Sequence, residues 1–107
     1  MTETTSPVLL RPAGRLDATN SAQFEKDMLD RLTQSPRGMV MDFSDLSYIS
    51  SAGLRVVLLA AKKAKAIGGQ FVLCGLSPAI SNVFKVSGFL SILTVEPDPD
   101  AALAHFG

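Results

Sequence analysis

Ser50, Ser51 and Gly53 lie within "YISSAGLRVV" (48–57), where an apolar, strand-like run gives way to an apolar, helix-like run. Two chemistries are open to hydroxyls at such a junction. A serine ahead of a helix caps it by accepting a hydrogen bond from an unpaired backbone N–H. The same oxygen can carry a phosphate, at a place where the helix dipole and free N–H groups favour an anion. Gly53 leans toward the second chemistry. Alanine would suit a helix start better by about 1 kcal/mol, so glycine there reads as room for another molecule's backbone or phosphate.

Other chemistries lack their residues. His105 is the one histidine, two positions from the end of the chain, and a base needs an oriented partner and a nucleophile within reach. There is no phosphate-loop signature, no dinucleotide fingerprint, and around Ser51 the sequence is "ISSAG" rather than a nucleophile elbow. Cys74 is alone, which excludes an internal disulfide and a cysteine-based zinc site. It falls in the apolar run 71–74 and reads as a buried structural thiol. An enzyme is not expected, and neither a cofactor nor a metal is.

The elements around the serines follow from pattern. Val8–Arg11 and Gly14–Leu16 read as short strands about the turn "PAG". In "DATNSAQFEKDMLDRL", Phe24, Met28 and Leu32 recur every four residues, an amphipathic helix with Asn20 and Gln23 at capping-box spacing. "MVMDF" (39–43) and "FVLC" (71–74) read as buried strands, with Asp42 the odd member of the first. Residues 52–67 form a long helix stopped by "GG", and "SDLSYIS" before it reads as a polar loop pinned by Leu46, Tyr48 and Ile49. Ser77 caps a helix opened by Pro78 and closed at Gly88. "SILTV" (91–95) is a last strand, and Asp98–Pro99 opens a short terminal helix.

The order β-β-α-β-α-β-α-β-α predicts an α/β fold: a small mixed, largely parallel sheet with helices packed mainly on one face. The 107 residues suit a single domain spanning 1–107, with residues 1–7 a flexible tail. Ten basic residues balance ten acidic ones, so no bulk charge draws the chain to nucleic acid or an anionic membrane. "MTETTSP" has no signal-peptide pattern, and no apolar run reaches the roughly 18 residues of a membrane span. The cytoplasm is the expected compartment.

From "MDFSDLSYISSAGLRVVLLAAKKAKAIGGQFVLCGLSPAISNVFKVSGF", with "GRLDATNSAQFE" before it, the chain resembles the STAS domain family of bacterial anti-sigma-factor antagonists. The resemblance covers roughly residues 8–95. It implies a switch. An anti-sigma factor that is also a serine kinase phosphorylates one serine at the start of the second helix. The unmodified antagonist binds that factor and frees the sigma factor, and a phosphatase restores the antagonist. By the family pattern the acceptor is Ser51, followed by Ala52 and Gly53. Ser50 stands where the family often has aspartate and is the competing acceptor. Asp17, in "GRLD", matches an acidic residue that lies near the acceptor in the family.

On helical spacing, Leu54, Val57, Leu58, Ala61 and Ala64 share one face of helix 52–67 and should meet the sheet. Val56, Leu59 and Lys63 lie opposite, flanked by Arg55 and Lys62, and read as an apolar patch within a basic rim for an acidic partner. Two further readings stay open. One is an unswitched STAS module of a transport or stress-sensing assembly. The other is a small-anion or nucleotide binder at the helix N-terminus.

Overall fold

The computed structural model describes residues 7–106, so the tail expected over 1–7 lies, apart from Pro7, outside the described residues. Six strands and four helices follow one another: β1 (Val8–Leu10), β2 (Gly14–Leu16), α1 (Ser21–Leu32), β3 (Gly38–Asp42), β4 (Leu46–Ile49), α2 (Ser51–Ala66), β5 (Gln70–Cys74), α3 (Pro78–Val86), β6 (Thr94–Glu96) and α4 (Pro99–Leu103). The main sheet has the order β1-β3-β5-β6, and β2 pairs with β4 in a separate two-stranded sheet. All four ladders are parallel. The sheet expected as largely parallel therefore has no antiparallel pair among the described residues.

Period-two alternation divides the core. Met39 and Met41 of β3, with Phe71 and Leu73 of β5, join a cluster containing Met28 and Leu32 of α1, Val57 and Ala60 of α2, and Ile80 and Phe84 of α3. Val40, Val72 and Cys74 point the other way and meet Ala102 and Phe106 at the end of the chain. Strands covered on both faces read as unbroken apolar runs, which is why β3 and β5 were visible in the sequence. Three helices thus cover one face, and among the described residues only short α4 and the 3-10 turn Ala104–Phe106 after it cover the other.

The structure alters three local expectations. First, the loop "SDLSYIS" contains β4, which lies beside β2 with Leu16 opposite Ile49. Second, the final strand begins at Thr94 rather than residue 91, because Leu90–Ile92 form a 3-10 turn after α3. Third, Asn20 and Gln23 do not form a capping box. The Asn20 side chain folds back, donating to the Arg15 carbonyl at 2.7 Å and accepting from the Asp17 amide at 2.9 Å. Gln23 donates to Asp27 instead. The caps at Ser77 and Asp98 form as expected, accepting from the amides of Ile80 and Ala101.

Candidate functional site

The two serines have different jobs. Ser50 is extended (φ −97°, ψ 177°), and its Oγ accepts from the Gly53 amide at 3.3 Å, so it is the N-cap of α2. Its own amide donates to the Leu16 carbonyl at 2.9 Å. Ser51 is the first helical residue and is exposed. Among the described residues, no hydrogen bond engages its hydroxyl. A capping interaction therefore occupies one hydroxyl and leaves its neighbour open to solvent.

Gly53 has an internal reason for being glycine. It is buried, and a β-carbon there would lie 2.7 Å from the Leu16 carbonyl oxygen and 2.8 Å from Cγ1 of Ile49. The first turn of α2 rests directly on the ends of β2 and β4. The room expected at Gly53 for an outside molecule is filled by the protein's own backbone, and Ala52 beside it is half-buried.

Asp17 follows Leu16, the residue that anchors the cap. Its carboxylate accepts from the Thr19 hydroxyl at 2.6 Å and the Thr19 amide at 3.0 Å, and from Nε of Arg15 at 3.2 Å. The Thr19 bonds, hydroxyl first, lead in holding its pKa below the ordinary value, with Arg15 adding to them. The Arg15 guanidinium also lies 4.2 Å from the centre of the exposed Tyr48 ring. A Tyr48–Arg15–Asp17 chain thus runs across the β2–β4 pair beside the cap. No sequence motif linked Arg15 to Tyr48; register created the pair.

Beyond Ser51, α2 lies differently from its expected orientation. Val56 is 3% exposed and belongs to the cluster holding Met28 and Leu32, and Leu59 is half-buried. The proposed patch of Val56, Leu59 and Lys63 is therefore not an open surface: α1 packs along α2. Leu54, Val57 and Ala64 are buried as expected, whereas Leu58 and Ala61 of the same expected face are only partly covered. The open flank instead carries Ser51 and Arg55, beside half-buried Leu58 and the edge of buried Leu54, and these four with Ser87 and Phe89 line a groove of about 340 Å³. Ser87 and Phe89 were not identified from sequence. Gly88 between them, where α3 ends, was the available signal. Among the described residues no group of acidic, histidine or cysteine side chains is arranged to hold a metal, and no helix is long and apolar enough to cross a membrane.

The sequence profile of the STAS domain matches residues 1–102. This chain belongs to the STAS domain family. BtrV of Bordetella bronchiseptica, which carries the name of an anti-sigma factor antagonist, is 44% identical over 93 residues, spanning 87% of this chain and 80% of BtrV. A STAS domain protein from Planctomyces limnophilus superposes with a TM-score of 0.86 at 20% identity, over 98% of this chain and 94% of that one. The anti-sigma factor antagonist SpoIIAA of Bacillus, in its unphosphorylated form, superposes with a TM-score of 0.76 at 24% identity, over 94% and 89% of the two chains. The STAS fold is thus the setting of the strand-to-helix junction at which Ser50 and Gly53 meet Leu16, the end of β2.

Proposed function

We propose that this STAS protein is an anti-sigma-factor antagonist switched by phosphorylation of Ser51. Unmodified, it binds an anti-sigma factor that is also a serine kinase, and so frees a sigma factor in the cytoplasm. The observation that carries the reading is the separation of the two serines: Ser50 is spent on the cap, while the Ser51 hydroxyl is exposed and unengaged. The relationship to BtrV supports the antagonist role. SpoIIAA, which shares the fold, has been solved in both unphosphorylated and phosphorylated forms.

The chain contributes a nucleophile and nothing else to the modification. The Ser51 oxygen forms a bond to the γ-phosphorus of ATP in the kinase, ADP leaves, and the hydroxyl proton passes to the kinase's base. The product carries about −1.5 to −2 charges. The first turn of α2 tolerates them because its amides and dipole favour an anion. A docked protein surface does not, because burying an unpaired dianion costs far more than one hydrogen bond returns. The complex breaks while the fold stands, and a phosphatase reverses the change. An exposed acceptor hydroxyl favours this switch over an unswitched STAS module.

The test is intact-mass analysis after incubation with the kinase-type anti-sigma factor of the same genome and ATP. Wild-type protein and Ser50→Ala should each gain one phosphoryl group, and Ser51→Ala none. A phosphorylated product from Ser51→Ala would reject the assignment.

A further inference from the structure

The groove that begins at Ser51 does not end at Leu58. Leu58 also walls a second hollow of about 340 Å³, bounded by α2 on one side and by Ile92 and Leu93 on the other. Ala61, Lys65, Ile92 and Leu93 carry it on to the start of β5 and β6. From Ser51 to Lys65 the α2 wall is about 20 Å long at 1.5 Å per residue. Leu58 and Leu93 are half-buried along it, and Ile92 stands 70% exposed on the far side. Isolated exposed aliphatics are ordinary, but here the aliphatic faces line one continuous trough.

The α2 rim is entirely basic. The 16-residue helix carries Arg55, Lys62, Lys63 and Lys65 and no acidic residue, in a chain whose charges balance as a whole. Arg55, Lys62 and Lys65 line the trough, and no aspartate or glutamate does. Among the described residues none of the three forms an ion pair. The opposite wall, Phe89 to Leu93, carries no charge.

From this asymmetry we infer that the trough is the docking site of an amphipathic segment of a protein partner. That segment presents an apolar stripe to Leu58, Ile92 and Leu93, with carboxylates along the flank that meets Arg55, Lys62 and Lys65. A concave trough with cations on one rim only fits a segment of chain better than a flat bilayer. Identifying the partner as the anti-sigma factor rests on the function proposed above. Ser51 opens the same trough, one helical turn before Arg55. Its phosphate would place negative charge where the segment's carboxylates enter and would compete with them for Arg55. Phosphorylation then closes the trough to that partner electrostatically.

The experiment measures affinity for the kinase-type anti-sigma factor of the same genome, by calorimetry at two salt concentrations, for wild type, Lys62→Glu/Lys65→Glu, Ile92→Asp and Ser51→Glu. All four positions are exposed, and circular dichroism checks that the variants fold. The double charge reversal should weaken binding about tenfold or more and flatten its salt dependence. Ile92→Asp should weaken it by a comparable factor. If both bind as wild type does while Ser51→Glu does not, the trough is not the docking site and the antagonist reading stands. If wild type forms no complex, that reading falls and the occupant assigned here falls with it. Sedimentation with phosphatidylserine vesicles that is lost in the double variant, with affinity for the anti-sigma factor unchanged, would make the trough a lipid surface and overturn the inference.

Discussion

The carbonyl oxygen of Leu16 faces Gly53 so closely that a β-carbon on Gly53 would lie 2.7 Å from it. The same oxygen accepts the Ser50 amide. The last residue of β2 therefore fixes both the cap and the first turn of α2, and so fixes where Ser51 emerges. In an ordinary exposed helix, Gly53→Ala would stabilise by about 1 kcal/mol. Here the neighbouring atom is backbone and cannot swing aside. The substitution should destabilise by roughly 1–3 kcal/mol, as overpacking does. It should appear as a lower urea midpoint with an unchanged slope.

Ser50 and Ser51 should separate in stability as they do in geometry. Ser50→Ala removes the side-chain acceptor for the Gly53 amide and should cost about 1 kcal/mol. Ser51→Ala touches an exposed, unengaged hydroxyl and should stay within about 0.5 kcal/mol of wild type. Thermal unfolding of the two variants side by side checks this.

What the sequence disclosed depended on how local the cause was. The runs 39–43 and 71–74 announced β3 and β5 because both faces of those strands are covered. Ser77–Pro78 and Asp98–Pro99 announced helices because capping is decided within four residues. β4 escaped because its four residues become a strand only beside β2, some thirty positions earlier. The open face of α2 escaped for a different reason. Apolar residues surround most of that helix, so spacing cannot say which flank α1 covers. Val56 proved buried and Leu58 only half-buried. That Ser51 sits at the start of α2 was legible from local sequence, whereas Ser87 and Phe89, which line the same groove, arrive there through tertiary packing alone.

Asp42, the odd member of β3, closes the turn into β4. Its side chain is 1% exposed. It accepts from the Ser44 hydroxyl and, at 3.0 Å, from the Ser44 amide, and Nε of Arg11 donates to it at 2.9 Å. Burial pushes its pKa up. The Ser44 bonds and then the Arg11 charge outweigh burial, leaving the carboxyl below its ordinary value of 3.8. A depressed native pKa means that the unfolded chain takes up protons first as pH falls. The contribution is thus complete above the unfolded value and lost on descending through the native one. Asp42→Asn should cost about 1–3 kcal/mol at neutral pH. Below pH 4 its stability should fall less steeply than that of wild type, as followed by urea titrations across pH.

Cys74 reports on the face covered by α4 and the 3-10 turn Ala104–Phe106 that follows it. Its thiol is buried with Val40, Val72, Ala102 and Phe106. Burial, followed by the nearby Asp42 charge, raises its pKa to about 11, so at pH 8 roughly one thiol in a thousand is thiolate, the reactive form. Native protein should resist a thiol-specific disulfide reagent at pH 8, while protein in denaturant should react stoichiometrically. The tie between α4 and the sheet is slight: Ala102 and Phe106 in the core, a Gln70 bond to the His105 carbonyl, and a His105–Glu96 contact. Phe106→Ala should therefore loosen α4 locally before the domain unfolds, raising the labelling rate of Cys74 about tenfold or more. Because α2, which begins at Ser51, packs on the opposite face of the sheet, the phosphorylation proposed at Ser51 should be unaffected. Slow labelling in Phe106→Ala would mean that the sheet shields Cys74 without help from α4.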